Sequence, residues 1–245
     1  MATPQKIRCQ VDKIINHSNG VYTVNLLPER LLPRFNPGQF LHLSLDGYDT
    51  SSFWPESRVF SIASAPSQRD RLIISYSVKG KYTKRMEKEL KEGKWVWTKM
   101  PYGDFIIRDN CNVVLIAGGT GITAFISFIN GLSSTFPKKV FLAYGVRNPD
   151  LLLYLPTIID KLNICKQFQA FFFIERTDED AGSLKVLSNS FMKGVISIDR
   201  ICSLLENSND LKFYIAGPPE MVQHTVNNLR NRSISNEMIS VDAWE

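Results

Sequence analysis

Hydrophobic positions follow two different rhythms along this chain. Up to residue 105 they alternate with polar ones over short stretches: IRCQVDKII from Ile7, VYTVNLL from Val21, QFLHLSL from Gln39, RVFSIAS from Arg58, RLIISYSV from Arg71 and KWVWTKM from Lys94. A period of two, rich in β-branched and aromatic residues, predicts strands buried on one face. Six of them at close spacing predict a small antiparallel barrel or sandwich. Asn19-Gly20 between the first two is a hairpin turn signal. The one interruption, YTKRMEKELKEG from Tyr82, sets Met86 and Leu90 four residues apart among charges, which predicts a helix capped at Gly93.

From Asn112 the apolar residues come in unbroken runs, VVLIA, KVFLAY, FQAFFFI and LKFYIA, separated by helical stretches beginning near Ile122, Asp150, Ser197 and Pro219. Strand alternating with helix is the pattern of a parallel sheet with crossover helices. The expected fold is therefore two-domain, an N-terminal antiparallel β-barrel followed by an α/β parallel-sheet domain. The boundary is expected between Phe105 and Cys111, giving domains 1–108 and 109–245.

At 245 residues and 44% hydrophobic content, the chain is long enough for both cores. Charge sharpens the division, because residues 1–110 carry +6 and the remainder −1, with many of the cations between Lys79 and Lys99. That run offers a face to an acidic partner, with a solvated helix face as the competing reading. No nucleic-acid module surrounds it, so nucleic acid is not expected. Cys9, Cys111, Cys165 and Cys202 are too dispersed for a metal site or a disulfide framework, so no metal is expected. The start MATPQKIRC has no signal-peptide layout, and no apolar run approaches the length of about 18 residues of a membrane span, so a cytoplasmic protein is expected.

Chemistry concentrates at two strand ends. VVLIAGGTGITAF runs from a strand through Gly118, Gly119, Thr120 and Gly121 into a helix carrying Thr123. Glycines let a backbone approach a pyrophosphate, and the helix start supplies free N–H groups. Tight packing of helix on strand is the alternative use of the same glycines. IAGPPEMV repeats the arrangement at Gly217 and Pro218. Ligands of open α/β sheets bind at the carboxyl ends of the strands, where both loops would emerge.

Together with the first half, these motifs resemble the ferredoxin–NADP(+) reductase superfamily of flavoproteins over nearly the whole chain. PGQF at 37–40 precedes Arg58-Val59-Phe60-Ser61, which matches the family's Arg-x-Tyr/Phe-Ser flavin motif. The resemblance implies Arg58 for the flavin phosphates, Phe60 to cover the isoalloxazine and Ser61 near its N5. Val78-Lys79-Gly80-Lys81-Tyr82-Thr83 resembles the second flavin segment, in which a helix start offers backbone donors to the pyrophosphate. MPYGDF at 100–105 is similar to the glycine turn closing the flavin domain, and Arg147 of AYGVRNP to a family arginine near a nucleotide phosphate. The later loop departs from the family with Ala216 where cysteine is frequent. VDAWE resembles the acidic-x-aromatic ending of plant and bacterial members, implying Trp244 stacked on flavin or adenine and Asp242 near the nicotinamide.

The resemblance implies FAD, with FMN as the alternative, and NADH or NADPH as co-substrate. Glu175 and Arg176 stand at the end of the third strand of the second half, followed by Thr177-Asp178-Glu179-Asp180. A carboxylate there suits a ribose diol and repels a 2′-phosphate, so NADH is favoured. The expected function is hydride exchange between nicotinamide and bound flavin, with electrons passed to or from a separate carrier such as an acidic ferredoxin or flavodoxin. A partner-dependent electron-transfer subunit of an oxygenase or dehydrogenase complex and a flavin-free nucleotide-binding module are the alternatives. Nothing in the sequence fixes the oligomeric state.

Overall fold

A computed structural model describes residues 3–108, 110–176, 190–205 and 210–242. The chain divides into two compact units, residues 1–106 with 126–131, and residues 107–125 with 132–245. In the first, β1 (Gln5–Asn16), β2 (Val21–Pro28), β3 (Phe40–Ser44), β4 (Arg58–Ser61), β5 (Leu72–Ser77) and β6 (Trp95–Tyr102) form one antiparallel sheet in the order β4-β3-β6-β1-β2-β5. Beyond β4, the Ala63 amide donates to the Ile73 carbonyl at 2.9 Å, so the edges meet and the sheet curls into a nearly closed barrel. Closure removes open strand edges. Alternation decides the interior: Ile7, Cys9 and Val11 of β1, Val24 and Leu26 of β2, Leu41 and Leu43 of β3 and Val96 of β6 are all buried.

Helix α1 (Lys81–Glu89) buries Tyr82 and Met86, which lie four residues apart and join the barrel core. The helix is shorter than its sequence predicts. Leu90 turns to extended backbone and buries its side chain, so residues 91–94 form a turn and Gly93 donates to the Val11 carbonyl instead of capping the helix.

The second unit holds a parallel sheet in the order β10-β9-β8-β7-β11-β12. Its elements are β7 (Asn112–Gly118), the first three residues of α2 (Thr123–Asn130), β8 (Val140–Val146), α3 (Leu155–Ile164), β9 (Phe168–Ile174), β10 (Phe191–Lys193), α4 (Ile198–Leu204), β11 (Leu211–Ala216), α5 (Pro219–Asn231) and β12 (Ile239–Val241). The four apolar runs are the four central strands, as their burial on both faces requires. The short strands β10 and β12 carry too few residues to show a period. Asp150 does not open a helix: it lies in a 3-10 turn at Pro149–Leu151, and α3 begins after Tyr154. Ser197 does cap α4, its hydroxyl accepting from the Arg200 amide. Chain order reverses between β7 and β11, so the switch point of the sheet lies where Gly118 and Ala216 end their strands. Among the described residues no helix is long and apolar enough to cross a membrane.

Candidate functional site

In the first unit the two flavin-like segments converge. Arg58 opens β4 opposite Leu43, and its guanidinium lies 5.1 Å from the centroid of the Tyr82 ring. The same guanidinium donates to the Ser57 carbonyl at 2.8 Å and to Glu56 at 3.2 Å, with both side chains about half exposed. Tyr82 is buried; its hydroxyl donates to the Leu43 carbonyl at 2.7 Å and accepts from the Leu45 amide at 3.1 Å. Burial pushes the Tyr82 phenol up to about 12, so it remains a proton donor tying α1 to the end of β3.

The start of α1 is preorganised by Thr83. Its hydroxyl accepts from the Lys79 and Gly80 amides at 2.9 and 3.1 Å, and Gly80 is the cap residue. That uses two donors the sequence had offered to a diphosphate, leaving the outward amides of the first helical turn, at Lys81, Tyr82 and Thr83. No atom lies within 4 Å of where a Cβ would stand on Gly80, so a ligand has room to approach. Val78 packs on the barrel core.

Along β4 successive side chains alternate, and the motif divides accordingly. Phe60 belongs to the core, 9% exposed and edge-on to Tyr76 at 6.2 Å, so its ring stands as part of the barrel wall and not as an open platform. Val59 and Ser61 project the other way, beside His42 and Phe40 of β3. There Phe40 stacks on Tyr102 at 5.7 Å and His42 meets Tyr102 edge-on at 4.9 Å, an aromatic group the motif reading missed. The alternation of QFLHLSL and the aromatic of MPYGDF were its only traces, since their pairing depends on β3 lying beside β6. Gln39 strengthens that pairing by donating to the Gly103 carbonyl at 3.0 Å. Burial, with Lys99 nearby, lowers the His42 pKa from its ordinary value.

The cations between Lys79 and Lys99 do not form one uncommitted face. Arg85 pairs with Asp46 and with Glu89, and Lys94 with Glu89 at 2.9 Å, which holds both carboxylates below their usual range. Lys99 lies over the Tyr102 ring.

In the second unit the glycine loops meet at the switch point. A Cβ on Gly121 would overlap the Ala216 carbonyl oxygen, and one on Gly217 would stand 3.0 Å from the Gly118 backbone. These glycines therefore permit loop-on-loop packing, where the sequence reading had offered packing of helix on strand as the alternative to a ligand. Gly119 is different: it opens the 3-10 turn Gly119–Ile122 that leads into α2, with φ +54° and nothing within 4 Å of a Cβ, so a ligand has room to approach its backbone. Thr123 is buried and donates to the Thr120 carbonyl at 2.7 Å, so it shapes the turn. Pro218 precedes α5 and closes against Gly118.

Arg147 and Arg176 are brought together at the ends of β8 and β9, the Arg176 amide donating to the Arg147 carbonyl at 2.8 Å and Glu175 to Val146 at 3.1 Å. All three charged side chains are exposed. Tyr144, fully buried and with its pKa raised by burial, donates to the Leu151 carbonyl and accepts from the Leu153 amide, both at 3.1 Å, which fixes the loop bearing Arg147. Beside Arg147, the buried Oδ1 of Asn148 has no hydrogen-bond partner among the described residues. An orphan acceptor, an open backbone approach at Gly119 and exposed cations along one sheet edge fit a dinucleotide. Asp242 follows β12 and donates its amide to Ile215 at 2.9 Å, beside the end of β11. Trp244 and the run Thr177-Asp178-Glu179-Asp180 lie outside the described residues.

Comparison with known proteins agrees with this geometry. Residues 115–227 match an oxidoreductase NAD-binding domain. The reductase component of propane 2-monooxygenase from Mycolicibacterium smegmatis is 25% identical over 248 residues, covering 98% of this chain and 68% of that protein. The electron transfer component of 2-halobenzoate 1,2-dioxygenase from Burkholderia cepacia is 29% identical over 196 residues, covering 77% of this chain and 52% of its own length. In fold, the FAD/NAD binding domain of nitric oxide dioxygenase from Vibrio cholerae aligns with a TM-score of 0.76 at 18% identity, over 96% of this chain and 97% of that one. Residues 115–227 thus form an oxidoreductase NAD-binding domain, and over nearly its whole length the chain is similar to the reductase components of oxygenases, with the two-domain fold of the ferredoxin reductase-like proteins.

Proposed function

We propose that this chain takes reducing equivalents from NADH through FAD and hands them to a separate protein, as the reductase component of an oxygenase system. The observation that carries the flavin assignment is the placement of the Arg58 guanidinium over the ring of Tyr82, which brings a cation to a residue of the first turn of α1, the two kinds of donor a diphosphate requires. Residues 1–108 then form the FAD-binding domain and residues 109–245 the NAD(P)-binding domain. Arg58 and the first-turn amides from Lys81, approached over the open side of Gly80, hold the diphosphate; Ser61, on the aromatic face with Phe40 and Tyr102, hydrogen-bonds near the flavin N5. When bound, FAD supplies exchange of a hydride with nicotinamide and of single electrons with a protein acceptor.

In the second domain Gly119, Thr120 and the start of α2 receive the dinucleotide diphosphate, with Arg147 beside it. Glu175 accepts the ribose diol and disfavours NADPH. Asp242, and Trp244 after it, are assigned to the nicotinamide side. An oxygenase partner is favoured over a free ferredoxin or flavodoxin by the relatives, which are a monooxygenase reductase component and a dioxygenase electron transfer component. Anaerobic absorbance spectra of the flavin-reconstituted protein test the reading. Bleaching of the visible flavin band by NADH, faster than by NADPH, is expected; a protein that binds no flavin would overturn it.

A further inference from the structure

One outer face of the barrel is richer in aromatic and basic side chains than a wall facing water requires. Alternation buries Ile7 and Cys9 of β1 and Val96 and Thr98 of β6, so Lys6, Arg8 and Gln10 stand outside with their register partners Lys99, Trp97 and Trp95. Leu27 of β2 lies opposite Gln10 and extends the row. The loop 45–57 after β3 folds against this face, where the Tyr48 ring meets Trp97 edge-on at 5.3 Å and Trp54 at 5.4 Å. Beside that anchor Phe53 is 98% exposed. Three of the four tryptophans of the chain are thus gathered here, and none of the three belongs to the core.

The positive charge of this face is not neutralised from within. Lys6 lies 4.2 Å from the centroid of Tyr48, Arg8 4.3 Å from that of Trp95 and Lys99 over Tyr102, and among the described residues none of the three cations forms an ion pair. Arg30 joins them by donating to the Lys6 carbonyl at 3.0 Å, next to Leu31, which is 61% exposed. The carboxylates of the loop are committed elsewhere: Asp46 pairs with Arg85, Glu56 with Arg58, and Asp49 accepts from the Ser51 amide at 2.8 Å. Glu29 accepts from the Arg8 amide at 3.3 Å and offsets one of the four cations.

A second copy of the chain would set these cations against their own kind. The outside of a barrel is convex and Phe53 protrudes from it, which suits a deformable surface better than a rigid complementary one, and two of the four cations are lysines, in which protein interfaces are poor. Tryptophan and tyrosine bordered by lysine and arginine settle where acyl chains meet anionic headgroups.

We propose that this face, with Phe53 at its tip and Trp95, Trp97, Lys6 and Arg8 behind it, rests on an anionic bilayer, so that the protein lies on a membrane without spanning it. Reversible anchoring takes two signals, an inserted apolar group and a basic patch, and the face supplies both. The proposal does not rest on the cofactor reading. Flotation of the full chain with vesicles of equal parts phosphatidylcholine and phosphatidylglycerol, and with vesicles of phosphatidylcholine alone, tests it. Binding to the anionic vesicles, a blue shift of tryptophan emission on binding and release by added salt are expected. Phe53→Ser, at a position with no packing to lose, should weaken binding roughly tenfold while leaving thermal stability unchanged. Lys6→Gln and Arg8→Gln should each weaken it about fivefold, the worth of one cation near an anionic surface. Equal binding to both kinds of vesicle, binding to neither, or undiminished binding in Phe53→Ser overturns the proposal. An acidic ferredoxin that binds through Phe53 where vesicles do not would give the face to a protein partner and overturn it as well.

Discussion

The guanidinium of Arg58 lies 5.1 Å over the ring of Tyr82, joining a strand residue to a helix residue 24 positions away in the chain. Tyr82 in turn holds the end of β3 through both its hydrogen bonds, so one ring connects the cation, the helix start and the barrel rim. Removing the hydroxyl in Tyr82→Phe strands the Leu43 carbonyl and the Leu45 amide. The cost is expected at about 1–3 kcal/mol, read as a lower urea midpoint together with reduced FAD retention. An unshifted midpoint would show that the rim does not depend on this phenol.

Ser61 projects from the opposite face of β4 to Phe60, toward the side carrying Phe40 and Tyr102. Ser61→Ala should slow flavin reduction by NADH in stopped flow while leaving FAD content near the wild-type level. Unchanged reduction rates would remove Ser61 from the chemistry.

Glu175 and Arg176 share one strand end, tied by their amides to β8. Glu175→Ser withdraws the carboxylate and leaves the arginine, so the ratio of kcat/KM for NADPH over NADH should rise by about tenfold. A ratio that stays fixed means that another group chooses the cofactor.

The two kinds of glycine in the loop after β7 should respond differently to alanine. Gly121→Ala drives a methyl into the Ala216 backbone carbonyl, which has no flexible end to give way, and overpacking of this kind costs about 1–3 kcal/mol or more. Gly119→Ala meets open space and carries only the left-handed backbone penalty, about 1 kcal/mol. Thermal unfolding of both variants should therefore place Gly121→Ala lower, and the reverse order would contradict the loop packing described.

Burial and Lys99 lower the His42 pKa in the folded protein below its ordinary 6.5. The unfolded chain then takes up the proton first. The stability His42 contributes is present above the ordinary value and is lost as pH falls below it toward the depressed folded value. Replacing it in His42→Gln should flatten the loss of thermal stability between neutral and mildly acidic pH. An identical acid limb in the variant would assign that loss to His17, whose pKa burial also lowers, or to carboxylates.

Short-range pattern was enough to determine the two-part fold and to pick out the glycine loops at the ends of its strands. Alternation in IRCQVDKII or RLIISYSV and unbroken runs such as VVLIA report how many faces of a strand are buried, a property written in the spacing of apolar residues. Glycines between strand and helix likewise announced the loop at 118–121. Which of those glycines is packed against a neighbour and which faces open space was decided only by tertiary structure, because the answer depends on Met221 and Ala216, about a hundred residues further along the chain, arriving beside β7 through the order of parallel strands. The same holds for Phe60, whose place in the barrel wall follows from the closing of β4 on β5, and for the Arg85–Asp46 pair that divides the basic run. A sequence specifies what each residue offers; distances between segments far apart in the chain are set when the sheet closes and the helices pack.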